Sequence, residues 1–109
     1  MLQPYDIQFD LDGNGKPAGG CARAVGLEVT FQNGPLGAPG DPNRQEPNGA
    51  FVETLIAIAR DRIQWYNDNG FGCRENSCAI TKLDEALHWL NARTARRTDQ
   101  GVEGTHKGN

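Results

Sequence analysis

The stretch CRENSCAITKLDEALHWLNARTARR, residues 73–97, is the longest run of helical periodicity in the sequence. Stepping each residue ~100° around a helix places Ile80, Leu83, Leu87 and Leu90 on one stripe, which must be buried. Beside that stripe, within ~80° of one another, fall Lys82, Ala86, Trp89, Arg93 and Arg97. Two arginines one turn apart, near a tryptophan and a lysine, suit a phosphorylated ligand that carries an aromatic base. Taken alone, the stretch is better read as a solvated cationic helix end, where arginine complements the macrodipole.

Working outward, the spacing predicts an earlier helix from about Ala50 to Asp68, with Asn48 or Gly49 near its cap and Asn69-Gly70 closing it. Val52, Leu55, Ile56, Ala59, Ile63 and Tyr66 form one apolar face, and Phe51, Ile58 and Trp65 form a second stripe. The connection NGFG at 69–72 is short, so the two helices are expected to pack as an antiparallel hairpin. One stripe can pack on the following helix. The other needs the N-terminal sheet or another protomer, which is the sequence argument for an oligomer.

Before the helices, YDIQFDL at 5–11 and AVGLEVTFQ at 24–32 alternate apolar and polar residues as half-buried strands do. The intervening DGNGKPAGG is turn chemistry throughout, so an antiparallel hairpin or part of a small sheet is expected. Within it, Asp10, Asp12, Asn14 and Gly15 match the first half of an EF-hand loop. The twelfth position is Cys21, however, and no flanking helices are evident, so a plain turn is preferred. NGPLGAPGDPNRQEPNG at 33–49 has no periodicity and is either a flexible linker or an ordered loop over a partner subunit. Its one basic residue, Arg44, is a solvated charge or an extra contact to an anion.

The expected fold is therefore α+β: a small N-terminal antiparallel β portion, then a long antiparallel two-helix hairpin, assembling as an oligomer. All 109 residues form one domain. It divides into a β portion (1–35), a Pro/Gly-rich connector (36–49), the hairpin (50–100) and a tail (101–109) whose last residues, THKGN, look frayed. The two glycines of GVEGT at 101–105 would let the backbone turn sharply or approach a ligand. With 37% hydrophobic residues, 14 glycines and 6 prolines, the well-built core is expected in the second half.

Composition narrows the function. No apolar run approaches the ~20 residues of a membrane span, and the N-terminus lacks the basic-then-apolar order of a signal peptide, so a soluble cytosolic protein is expected. Three cysteines, Cys21, Cys73 and Cys78, are an odd count with no second pair for zinc, which points to reduced thiols. A net charge of −3 argues against DNA or RNA as a partner. Residues 1–73 carry 5 basic and 9 acidic side chains, whereas residues 74–109 carry 6 and 5, so a cationic end stands on an acidic body. That distribution suits a small anion.

Catalytic constellations are not found, and neither a metal nor a cofactor is expected. His88 and His106 have no serine or cysteine at a motif spacing, and the adjacent Asp84 and Glu85 diverge on a helix. Binding chemistry is better supplied. Arg93 and Arg97 offer bidentate forks for phosphate, Tyr66 or Trp65 a platform for a base, and Asn76 an amide in the first turn of its helix. Asn76 and Arg93 are separated by ~25 Å of helical rise, so a pocket using both requires two protomers.

These residues carry a resemblance. The run CREN at 73–76, then AITKLDEALHWLNART at 79–94 and GVEGTH at 101–106, resembles the helical hairpin of phage anti-defence nucleotide sponges, the Thoeris anti-defence and anti-CBASS sponge proteins. It covers roughly residues 31–106 and is closer to the Thoeris type, which also has an N-terminal β portion. The resemblance implies capture, without cleavage, of glycocyclic ADP-ribose or of cyclic di- and trinucleotides in the cytoplasm of an infected host. It further implies a homohexamer with pockets between protomers. On this pattern Tyr66, Asn76, Arg93 and Arg97 surround an ADP-ribose-like ligand, and Arg44 serves a second, cyclic-trinucleotide pocket. Lys82 and the GVEGT backbone, with Gly101, Gly104 and Thr105, complete the ligand-binding candidates without an assigned pocket. The rival readings are a phage structural or assembly accessory protein that binds no ligand and a small nucleotide hydrolase.

Overall fold

The computed structural model describes residues 1–108; Asn109, the end of the expected tail, lies outside the described residues. Three strands, β1 (Tyr5–Leu11), β2 (Pro17–Ala24) and β3 (Leu27–Phe31), precede two helices, α1 (Val52–Tyr66) and α2 (Arg74–Asp99). The chain divides into two compact units: Met1–Phe51 together with the residues from Arg97 on, and Val52–Arg96.

In the first unit the strands form an antiparallel sheet in the order β1-β2-β3. The sequence expectation needs one correction here. Residues 17–20, expected to be turn, are part of the central strand, and the two alternating stretches flank it instead of pairing with each other. The physical reason is a bulge. Between the pairs Phe9–Gly20 and Leu11–Pro17, β1 advances two residues and β2 three, so the extra residue lies on β2. Gly19 (φ +86°) and Gly20 (φ +134°) accept the backbone that this demands. A Cβ at Gly20 would collide with the carbonyl oxygen of Gln8. Phe9 and Phe31 face Gly20 from the two sides, and their rings meet with centroids 6.1 Å apart. Glycines that look like turn chemistry are here the centre of a sheet.

One sheet face carries Tyr5, Ile7, Phe9, Ala22, Ala24, Leu27, Val29 and Phe31, and the other carries Asp6, Gln8, Cys21, Arg23, Glu28 and Thr30. Val29 is buried, yet Tyr5, Ile7 and Phe9 of the edge strand stay exposed. The loop after β1 is a hydrogen-bonded turn in which Asp12 Oδ1 accepts the backbone N–H of Asn14 (2.8 Å) and Lys16 (3.0 Å). Those two donors, Lys16 foremost, hold the Asp12 carboxyl below its ordinary range.

The Pro/Gly-rich connector is an ordered loop. Its end returns to β3, where Ala50 N–H donates to Thr30 O (2.7 Å) and Gln32 N–H to Ala50 O (3.1 Å). Asn48 exchanges hydrogen bonds with the backbone of Asn33 at 2.8 and 2.9 Å. Asn48 thus closes the loop, and α1 begins four residues later at Val52 instead of near Ala50. Gly49 packs so tightly on Phe31 that a side chain there would clash with backbone.

In the second unit, α1 passes through a π-helical turn, Asn67–Phe71, into α2, with the reversal at Asn69 and Gly70 (φ +92°). Arg60 Nε donates to Asp84 Oδ1 (2.9 Å) and Asn67 Nδ2 to Ser77 Oγ (3.4 Å). Seven residues back along α1 correspond to seven forward along α2, so the helices run antiparallel. Ile80 is buried, and Leu83, Leu87 and Leu90 are half-buried. Ile58 and Trp65 of the second stripe are exposed in the single chain at 63% and 48%, whereas Phe51 precedes α1 and belongs to the first unit.

Candidate functional site

The candidate residues fall into two groups, one in each compact unit. The first is assembled around the C-terminal end of α2. Arg97 is 6% exposed because its guanidinium is turned into the loop that follows the helix. Nη1 donates to Lys107 O (2.9 Å), and Nη2 donates to Val102 O (3.0 Å) and Thr105 O (3.1 Å). The Arg97 carbonyl in turn accepts the N–H of Val102 and Glu103, and Thr105 Oγ1 donates to Val102 O at 2.6 Å. A planar fork of five donors is well suited to satisfying several carbonyls of a tight loop at once. Residues 101–107 are therefore a clasped loop, with Gly101 (φ +71°) and Gly104 (φ +74°) making its turns.

That loop grips a second one. Gly37 N–H donates to Gly104 O (2.9 Å), and a Cβ at Gly104 would run into the Gly37 carbonyl. Arg44 Nη1 donates both to Gly37 O (3.0 Å) and to Glu103 Oε2 (3.1 Å). The Arg44 and Glu103 side chains are 33% and 21% exposed, so this pair is partly shielded from water. The structure thus brings together Arg44, Arg97, Gly101, Gly104 and Thr105. Glu103 is the member that sequence reasoning missed; its place in GVEGT, between two turn glycines, was the available signal.

The second group lies on the helical hairpin. Tyr66 ends α1, edge-on to Trp65, and the Arg62 guanidinium lies 4.9 Å from its ring centroid and 4.7 Å from that of Trp65. An arginine over two aromatic faces is a flat cationic surface suited to a base or a phosphate. Arg62 was missed although its i, i+3, i+4 spacing to Trp65 and Tyr66 is legible on a helix. Asn76 is in the first turn of α2, its N–H on Cys73 Sγ (3.4 Å) and its Nδ2 on Phe71 O (3.1 Å). Asn67 Oδ1, one residue past Tyr66, is a buried acceptor without a partner among the described residues. Lys82 lies 3.7 Å from Glu85 and helps line a shallow cleft of about 250 Å³ with Arg74, Ser77, Cys78 and Thr81. Arg93 is exposed, far along α2 from Asn76. The hairpin alone therefore does not bring Asn76 and Arg93 together.

The chain is thus an α+β protein that carries exposed aromatic and cationic side chains on a two-helix hairpin. The chain belongs to the Acb2/Tad1 hairpin-domain family, whose model matches residues 23–95. It is similar to Thoeris anti-defense 1 of Bacillus phage SBSphiJ7, with 51% identity over 79 residues that make up 72% of this chain and 51% of that protein. The chain therefore spans about half the length of this curated relative. The matched family segment contains Arg44, Tyr66, Asn76, Lys82 and Arg93, while Arg97 and the clasped loop lie beyond it.

Proposed function

We propose that this chain is a phage anti-defence protein acting as a non-enzymatic sponge, which sequesters a cyclic nucleotide immune signal in the host cytoplasm. The supporting observation is the 51% identity, over 72% of this chain, to a protein named for Thoeris anti-defence. Glycocyclic ADP-ribose is the first ligand, and cyclic di- or trinucleotides are the second. Tyr66 and Asn76 of one copy receive the base, and Arg93 of a neighbouring copy receives a phosphate, because a single helix keeps Asn76 and Arg93 ~25 Å apart. The exposed Ile58 and Trp65 of α1 support assembly into an oligomer, with a homohexamer as the form implied by the family resemblance. Lys82 adds charge near the hairpin's turn, and Arg44 with the 101–105 backbone borders a second anion site. Arg97 acts through that loop, since its donors hold loop carbonyls.

Calorimetric titration with glycocyclic ADP-ribose tests the proposal. Uptake by the parent is expected, with a loss of about 1.5–3 kcal/mol in Arg93→Ala. The same oligomeric mass is expected in gel filtration for both. A parent that assembles but takes up neither glycocyclic ADP-ribose nor a cyclic trinucleotide would favour the accessory-protein reading.

A further inference from the structure

We propose that Glu103 is a built-in competitor anion that sets the charge a ligand must bring to Arg44. This rests on reading Arg44 as an anion contact. The geometry behind it lies within one compact unit. Arg44 Nη1 already holds a carboxylate, Glu103 Oε2 at 3.1 Å, on a side chain only 21% exposed. Glu103 is delivered there by a loop that is fixed independently of it. The Arg97 guanidinium takes carbonyls on both sides of Glu103, at Val102 and Thr105. The Gly37–Gly104 hydrogen bond ties the same loop to the one bearing Arg44. Arg44 Nη1 also donates to Gly37 O (3.0 Å), which aims the guanidinium without neutralising it.

A phosphate approaching Arg44 meets a cation whose charge is already balanced. It must outcompete the carboxylate, and Glu103, once displaced, remains nearby as a repelling charge. A ligand with several phosphates gains enough from Arg44 to do this, whereas a neutral or singly charged metabolite does not. Removing the charge of Glu103 should therefore strengthen capture of a multiply charged nucleotide at this site. A purely structural Glu103 would give the opposite result, because losing the ion pair would loosen the loop.

The test titrates cyclic triadenylate, with glycocyclic ADP-ribose alongside, into the parent, Glu103→Gln, Arg44→Ala and the double variant. Gln is near-isosteric and keeps an oxygen for Arg44. Amide exchange across residues 36–45 checks that the loops stay closed. The expected result is about five- to tenfold tighter triadenylate binding in Glu103→Gln, weaker binding in Arg44→Ala, and a double variant that matches Arg44→Ala. Glycocyclic ADP-ribose binding should not change in Glu103→Gln. Unchanged or weaker triadenylate binding in Glu103→Gln, with Arg44→Ala still impaired, overturns the competitor role alone. Triadenylate binding that Arg44→Ala leaves intact, or its absence in the parent, overturns the reading of Arg44 on which the proposal stands.

Discussion

The sheet unit and the helical unit are held together by different means. In the sheet unit the long-range links include backbone hydrogen bonds and close approaches permitted by glycine, Gly20 against Gln8, Gly49 against Phe31 and Gly104 against Gly37, together with side-chain ties from Asn48 to Asn33 and from Arg44 to Glu103. In the helical unit they are a half-buried apolar stripe around Ile80 with side-chain polar contacts, the Arg60–Asp84 ion pair and the Asn67–Ser77 hydrogen bond. The first kind of link is specific and brittle, since one methyl group in the wrong place displaces backbone. The second is tolerant, and it leaves Ile58, Trp65, Phe71 and Trp89 exposed, surface that a neighbouring copy can cover. Rigid loops hold the Arg44 group, and an open helical surface carries the Tyr66 group.

The largest effect that would sharpen this contrast is expected from Gly20→Val. Its Cβ meets the Gln8 carbonyl, and φ of +134° is closed to a branched residue. A loss of about 3–5 kcal/mol in denaturant-induced unfolding is expected. Arg97→Ala comes next, at roughly 2–3 kcal/mol, because the carbonyls of Val102, Thr105 and Lys107 lose their common donor. Hydrogen exchange should rise across residues 101–107 and remain unchanged in α1. Exchange that rises equally in both units would break the comparison.

In the helical unit, Ile80→Ala is expected to cost about 2 kcal/mol, the low end for a buried aliphatic side chain, since its neighbours are only half-buried. Thermal unfolding of the variant checks this. The smallest effect concerns acid. The Lys16 and Asn14 amides favour ionised Asp12, so its folded-state value lies below the ordinary 3.8. Its contribution is therefore complete above the ordinary value and is lost as pH falls through the lowered one. Asp12→Asn should flatten the acid side of the stability profile by slightly lowering stability at neutral pH, where the ionised carboxylate contributes, and by leaving stability below the lowered value nearly unchanged.

How much of this was legible follows the same division. The helical period announced α1, α2 and the turn at Asn69-Gly70, because a buried stripe must repeat with the helix. The sheet was half legible. Tyr5–Leu11 and Leu27–Phe31 alternate, but Pro17–Gly20 carry no side-chain signal and read as a turn. Only the bulge register explains their glycines. Of the candidate site, Arg44 and the GVEGT segment with Gly101, Gly104 and Thr105 stand out in the sequence as two unconnected features, and their convergence depends on contacts some 60 residues apart. Arg97 was legible as a cation on a helix face. That its donors are spent on carbonyls follows from the loop, which periodicity does not describe.

The central claim is capture without chemistry, and recovery of the ligand tests it most directly. The protein is incubated with glycocyclic ADP-ribose, freed of unbound nucleotide, denatured by heat, and the released material is identified by mass spectrometry. Capture predicts unaltered glycocyclic ADP-ribose in a fixed ratio to protein. Release of a cleaved or linearised product, or of no nucleotide at all, would contradict it.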